Sequence, residues 1–150
     1  MGKVVNLAKK FTSKYGLTLA FRVSKHANVI EKHLNEDEKV LYVFAGRKSD
    51  DSDSKLKSAV VAITDKRILI GRCNLFNMGY SLNSITPDLY NDLKVTSGVI
   101  FGGVIIDTVK ETITVAYIDK HALPEVENNI TKTMIELKKE YLKEEKEKDK

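Results

Sequence analysis

The spacing of apolar positions changes twice along the chain. Val4, Leu7, Ala8, Phe11 and Tyr15 recur at helical intervals, Lys3, Lys9, Lys10 and Lys14 lie mostly off that stripe, and Gly16 stands where a helix would stop. Ala20, Val23, Ala27, Ile30 and Leu34 repeat the interval until Asn35-Glu36-Asp37-Glu38 breaks it. Two amphipathic helices are therefore predicted within residues 1–34.

From Lys39 the pattern becomes that of strands. Val40, Tyr42 and Phe44 alternate with Leu41, Val43 and Ala45, apolar on both faces, as in a strand covered on both sides. Gly46 to Lys57 reads as a polar loop. Ser58–Ile63 and Ile68–Ile70 form a predicted hairpin around Thr64-Asp65-Lys66-Arg67, where Thr and Asp can bond the local backbone. Gly71 to Asn77 reads as a turn, Met78–Ile85 as a short strand ended by Pro87, and Leu89–Val95 as another. Phe101–Thr108 and Thr112–Ile118 complete about seven strands.

Helical spacing then returns in Leu123, Val126, Ile130, Met134, Leu137 and Tyr141, with Asp119 as a plausible N-cap and Pro124 in the first turn. Lys143 to Lys150 is wholly charged and is expected to fray into solvent. Strands grouped apart from helices argue for an α+β fold, a strongly curved sheet with one opening covered by the last helix. The expected organisation is a helical extension over 1–34, a body over 35–145 and a charged tail over 146–150.

Composition narrows the class. The chain has 150 residues, 42% of them hydrophobic and 31% charged, enough for one packed domain without staples. No apolar run approaches ~18 residues, and no signal peptide is visible at the start. The single cysteine, Cys73, excludes an internal disulfide and fits a reducing, cytoplasmic setting. The net charge of +4 is uneven: Met1 to Asn35 holds seven Lys/Arg against one acidic residue, a net +6, so the remainder is mildly acidic. Such an arm suits an anionic surface, or simply a solvated helix face.

Leu34-Asn35-Glu36-Asp37-Glu38-Lys39-Val40-Leu41, the hairpin Val60 to Ile70 with its Thr64-Asp65-Lys66-Arg67 turn, and Tyr90-Asn91-Asp92-Leu93 followed by Gly98, Phe101-Gly102 and Val104-Ile105-Ile106 stand in an order similar to that of bacterial pleckstrin-homology domains of the YokE-like kind. The resemblance spans roughly 34–142, with Pro87 interrupting an otherwise smoother stretch. It implies a barrel of about seven antiparallel strands in two near-orthogonal sheets, capped by a long C-terminal helix. It implies binding or oligomerising modules, some assembling into rings, and no catalytic site.

The residues offer little chemistry of their own. Arg47, Lys48, Lys55 and Lys57 flank the loop where eukaryotic pleckstrin-homology domains clamp inositol phosphates, but Asp50, Asp51 and Asp53 sit between them and would repel phosphate. Counted as an EF-hand from Asp51, that loop has Leu56 at position six and Ala62 at position twelve, so calcium is not expected. His26 and His33 lie about 10 Å apart along a helix, too far to share a metal. Gly98, Gly102 and Gly103 match no phosphate-cradling spacing. No metal, cofactor or catalytic residue is expected.

The first helix is the remaining lead. Met1-Gly2 lacks the Ser or Thr that myristoylation wants, Asn6 standing there instead. Phe11 and Tyr15 sit among lysines, but on the apolar stripe, so nucleic acid is not an expected partner. The leading expectation is a non-enzymatic, self-associating interaction module whose arm makes protein contacts through Val4, Leu7, Phe11 and Tyr15, with a homo-oligomer or another protein as partner. The alternative is a peripheral membrane adaptor whose Lys3, Lys9, Lys10 and Lys14 meet anionic lipid.

Overall fold

The computed structural model describes residues 2–149, the side chain of Asn77 excepted. Met1, at the start of the predicted extension, and Lys150, at the end of the charged tail, lie outside the described residues. The element order is α1 (Lys3–Lys14), α2 (Val23–Glu31), β1 (Val40–Ser49), β2 (Lys57–Thr64), β3 (Ile68–Cys73), β4 (Tyr80–Ile85), β5 (Tyr90–Ser97), β6 (Phe101–Thr108), β7 (Thr112–Asp119) and α3 (Leu123–Lys148). The strands are antiparallel and form one connected sheet in the order β4-β3-β2-β1-β7-β6-β5. The two expected sheets are its two halves. β1 joins them: it pairs with β2 along most of its length and with β7 only at Arg47–Ser49.

β1 and β2 are buried almost continuously because the sheet is covered twice. α1 packs on β1, α2 on β2 and β3, and α3 crosses β5, β6 and β2. Val43, Phe44, Ala45 and Ala59 to Ile63 are consequently all in the core, whereas β5, covered less, alternates half-buried and exposed residues. This is the physical content of the two-faced apolar run seen in the sequence. Close approach also favours glycine: a Cβ at Gly102 would stand 2.7 Å from the Thr96 carbonyl oxygen of β5 and would press on Leu123 at the start of α3.

α1 lies on its own sheet. Val4, Val5, Ala8 and Phe11 are buried, and the Phe11 ring packs on Tyr15 at 5.1 Å, Phe44 at 6.3 Å and Tyr42 at 6.4 Å. The helix has no side-chain cap and no acidic residue in its first turn. Glu31 from α2 supplies the acceptor instead, taking hydrogen bonds from the Val4 and Val5 backbone N–H groups.

Thr64-Asp65-Lys66-Arg67 is more than a turn. Arg67 donates from Nε and Nη2 to Glu38 at 3.0 and 2.9 Å, and Nη2 also reaches the His33 carbonyl at 3.1 Å. Thr64 Oγ1 donates to the same carboxylate at 2.6 Å, and Asp65 accepts from the Lys39 N–H at 2.9 Å. Burial works to raise the Glu38 carboxyl, but the hydrogen bonds from Arg67 and Thr64 outweigh it and hold the group below its ordinary value. The β2–β3 turn thereby ties the end of α2 to the entrance of β1.

Several boundaries differ from the sequence reading. β1 continues through Gly46, Arg47, Lys48 and Ser49, read as loop, because it pairs there with β2 and β7 and both charged side chains have partners: Lys48 Nζ reaches Asn83 at 2.6 Å and Asp50 at 3.2 Å, and Arg47 bonds the Leu19 carbonyl at 3.2 Å. β3 extends to Cys73. Ala20 lies outside α2. Asp119 caps not α3 but a 3-10 turn, Lys120–Ala122, ahead of it. α3 stays helical through the charged segment to Lys148 rather than fraying at Lys143.

Candidate docking surface

The side chains singled out on α1 do not form a free face. Val4 and Phe11 are 0% and 4% exposed, so these two expected protein contacts belong to the chain's own core; Leu7 and Tyr15 are half-buried beside them. The stripe found its partner in β1, which is why it is covered. Lys3, Lys9, Lys10 and Lys14 do face solvent. Lys10 and Lys14 rim a shallow cavity of about 290 Å3 with Leu7, Phe11, Leu41 and Tyr42. Glu125 closes it, accepting from Tyr42 at 2.7 Å, Lys14 at 3.0 Å and Tyr15 at 3.2 Å. Burial alone would raise the Glu125 carboxyl, but these donors keep it below its ordinary range, while burial and the carboxylate push the Tyr42 hydroxyl far up. The cluster is a satisfied link from α1 to α3.

A second cavity, of about 410 Å3, opens between the start of α2, the end of β1, the start of β2 and the end of β3. Arg22, Arg47, Lys57 and Arg72 line it, together with Phe21, Leu56 and Leu75. Each basic group is set by its backbone. Arg22 precedes α2 in the left-handed region at φ 55°. Arg47 lies between two rings, 5.3 Å from the Phe21 centroid and 5.2 Å from that of Tyr117. Tyr117 reaches it from a bulge in β7, where the β6–β7 register slips and its own φ is 58°. Phe21 is anchored by its N–H on Ser58 Oγ at 2.9 Å.

His26 forms the floor. It is 3% exposed and its Nδ1 accepts from the Cys73 N–H at 2.8 Å, which fixes a neutral imidazole with the proton on Nε2. Burial first, then the positive charges of Arg72 and Arg22, lower it to about 4. Two of the three carboxylates in the acidic loop beside the cavity are paired with lysines. Asp50 pairs with Lys48 at 3.2 Å, Asp53 with Lys57 at 2.9 Å, and Asp51 accepts from the Thr112 N–H at 3.2 Å. Arg22, Arg47 and Arg72 therefore set the potential of the cavity.

The β3–β4 turn forms its rim. The Asn74 N–H donates to the Gly79 carbonyl at 3.0 Å and the Met78 N–H to that of Leu75 at 3.2 Å, closing a short 3-10 turn at Leu75–Asn77. Leu75, Phe76 and Met78 are 68%, 86% and 77% exposed, and Phe76 has φ 58°. On the other flank a cavity of about 440 Å3 is lined by Lys25, Lys32, His33 and Tyr80, with His33 Nε2 and the Tyr80 hydroxyl 3.1 Å apart. The sequence marks Gly71 to Asn77 as a turn but not its exposed side chains, because Leu75, Phe76 and Met78 show no period. Arg22 and Arg72 come from segments with no common motif. Among the described residues, no group of His, Cys, Asp and Glu could hold a metal, and no helix is long and apolar enough to cross a membrane.

A seven-stranded antiparallel sheet under a C-terminal helix is the architecture of the pleckstrin-homology class. Residues 34–132 match the family described as Bacterial PH domain, and the chain belongs to it. A pleckstrin homology domain of known crystal structure from Shewanella amazonensis SB2B is similar at 12% sequence identity, over 75% of this chain and 84% of that one, with a TM-score of 0.45. No curated protein matches the chain. The family match starts at Leu34. The cavity is thus composite: Arg47, Lys57 and Arg72 come from the matched region, Arg22 and His26 from the helices ahead of it.

Proposed function

We propose that this bacterial PH domain is a non-catalytic recognition module that holds a phosphate-bearing anion in the cavity of Arg22, Arg47 and Arg72. The observation that carries the reading is the convergence of Arg22, Arg47 and Arg72 on one concave site around the neutral His26, beside a loop in which Lys48 and Lys57 hold Asp50 and Asp53. Guanidinium groups suit phosphate because their planar donors bond two oxygens at once. The single cysteine supports a reducing cytoplasm, and the Thr64-Asp65-Lys66-Arg67 clamp on Glu38 supports the YokE-like branch of the family.

The test is a titration of the full chain with millimolar pyrophosphate, followed by NMR. Amides around Phe21 to Val23 and Arg72 to Asn74 shift, and the His26 imidazole titrates at a higher pH, since the anion offsets the charges that depress it. Arg72→Glu abolishes both. Absence of any shift, or an equal shift in Arg72→Glu, overturns the reading.

Self-association keeps the support of one observation. Val99 and Ile100, at the β5–β6 turn, are 86% and 51% exposed. A mass above 16.9 kDa in light scattering that falls on Val99→Asp supports it; a monomer at high concentration ends it. The arm route to that assembly requires Val4 and Phe11 to leave the core.

A further inference from the structure

We propose that the free edge of β4 takes up an extended acidic peptide of a partner protein as an added strand, with one of its carboxylates seated in the cavity between α2 and β4. The sheet ends at β4 on one side and β5 on the other, and the two edges are finished differently. β5 carries exposed Asp92 and Lys94 and a register shift between Tyr90 and Asp92, devices that keep a strand edge from pairing. β4 runs Tyr80-Ser81-Leu82-Asn83-Ser84-Ile85 with no charge, no proline and no break in its register with β3.

The backbone of β4 fixes which groups are open. The Asn74 N–H bonds the Gly79 carbonyl at 3.0 Å at the mouth of the β3–β4 hairpin. By the alternation of an antiparallel ladder, Ser81, Asn83 and Ile85 then turn their N–H and C=O groups to β3, and Tyr80, Leu82 and Ser84 turn theirs outward. Among the described residues, no backbone segment other than β3 bonds to this strand. Such a row of alternating donors and acceptors is matched by an extended chain.

The side chains set the chemistry of that chain. Tyr80 and Ser84 lie on the α2 side: the Tyr80 hydroxyl meets His33 Nε2 at 3.1 Å, and Ser84 Oγ accepts from Arg67 Nη1 at 3.1 Å. A strand added about 4.8 Å beyond β4 would run past the cavity of about 440 Å3 that Lys25, Asn28, Lys32 and His33 line. That lining holds two lysines and no carboxylate, so an Asp or Glu side chain projecting from the added strand meets complementary charge. A second copy paired through the same edge would instead set both pairs of lysines on one face of the joined sheet.

The probes are two short capped peptides, one alternating valine with glutamate and one alternating valine with lysine, titrated into the full-length chain. The glutamate peptide binds and slows amide exchange at Tyr80, Leu82 and Ser84 by roughly tenfold or more, while Ser81, Asn83 and Ile85 keep their rates. Lys25→Glu with Lys32→Glu lowers its affinity by roughly tenfold. Leu82→Pro removes one outward N–H, leaves the β3 ladder whole and weakens binding to a similar degree. Where Leu82→Pro fails to fold, the double lysine variant and the exchange pattern decide. No binding of the glutamate peptide, equal binding of the lysine peptide, or binding that leaves the three outward amides unprotected overturns the proposal. Protection of those amides that rises with protein concentration in the absence of peptide makes a second copy the occupant, and overturns it too.

Discussion

Two segments set apolar side chains among lysines and arginines, and the fold treats them oppositely. α1 carries Val4, Ala8 and Phe11 at helical spacing and buries them on β1, leaving its lysines in water. The β3–β4 turn carries Leu75, Phe76 and Met78 without period and leaves all three exposed. A regular stripe can be matched by another regular surface of the same chain, so amphipathicity is first of all a folding signal. An aperiodic apolar cluster on a tight turn has no such match within the chain, and it stays in solvent.

The largest effect separates the two directly. Phe11→Ala empties a packed aromatic site and is expected to lower stability by about 3–5 kcal/mol in urea unfolding, whereas Phe76→Ala stays within about 0.5 kcal/mol. Equal losses would erase the contrast. The second break is at the clamp holding α2, the neighbour that α1 and the turn share. Arg67→Met leaves the fully buried Glu38 carboxylate unpaired and costs about 3 kcal/mol, read from the same unfolding curves.

The third concerns pH. His26 stays neutral in the folded chain down to about 4, but titrates at its ordinary 6.5 when unfolded. The unfolded state therefore binds more protons between those values, and stability falls as pH drops through that window, by up to about 3 kcal/mol. Glu38, held below its ordinary value, adds a further loss as pH falls through its folded value. In His26→Gln the slope flattens between 6.5 and about 5, above the range in which carboxylates titrate; a slope that persists there would place its origin elsewhere. The smallest effect has the opposite sign. Phe76→Gly relieves a left-handed backbone at the cost of some chain entropy, for a net gain of about 0.5 kcal/mol.

Legibility in the sequence follows the same division. The stripe from Leu123 to Leu137, the hairpin around Thr64 to Arg67 and the strand Phe101–Thr108 could be read because period and turn chemistry are local. The continuation of β1 through Arg47 and Lys48 could not, because it depends on Asn83, Leu19 and Tyr117, distant in sequence. The family resemblance led to the correct fold at its broader level. The cavity was invisible for the same reason as β1: Arg22, Arg47 and Arg72 share no spacing and meet only once α2 lies on β3. His26 was weighed as a metal ligand and is instead an acceptor for the Cys73 N–H.

Glu31 has a consequence for the order of assembly. α1 is twelve residues long, starts at a glycine and borrows its cap from a residue 27 positions away. A free helix of that length, uncapped, is barely populated in water. The first helix in the chain is therefore among the last parts able to hold its shape, waiting for α2 to offer a carboxylate and β1 to offer a surface. Its amides report on the completeness of the whole fold, and during synthesis α1 emerges before the surface that covers it.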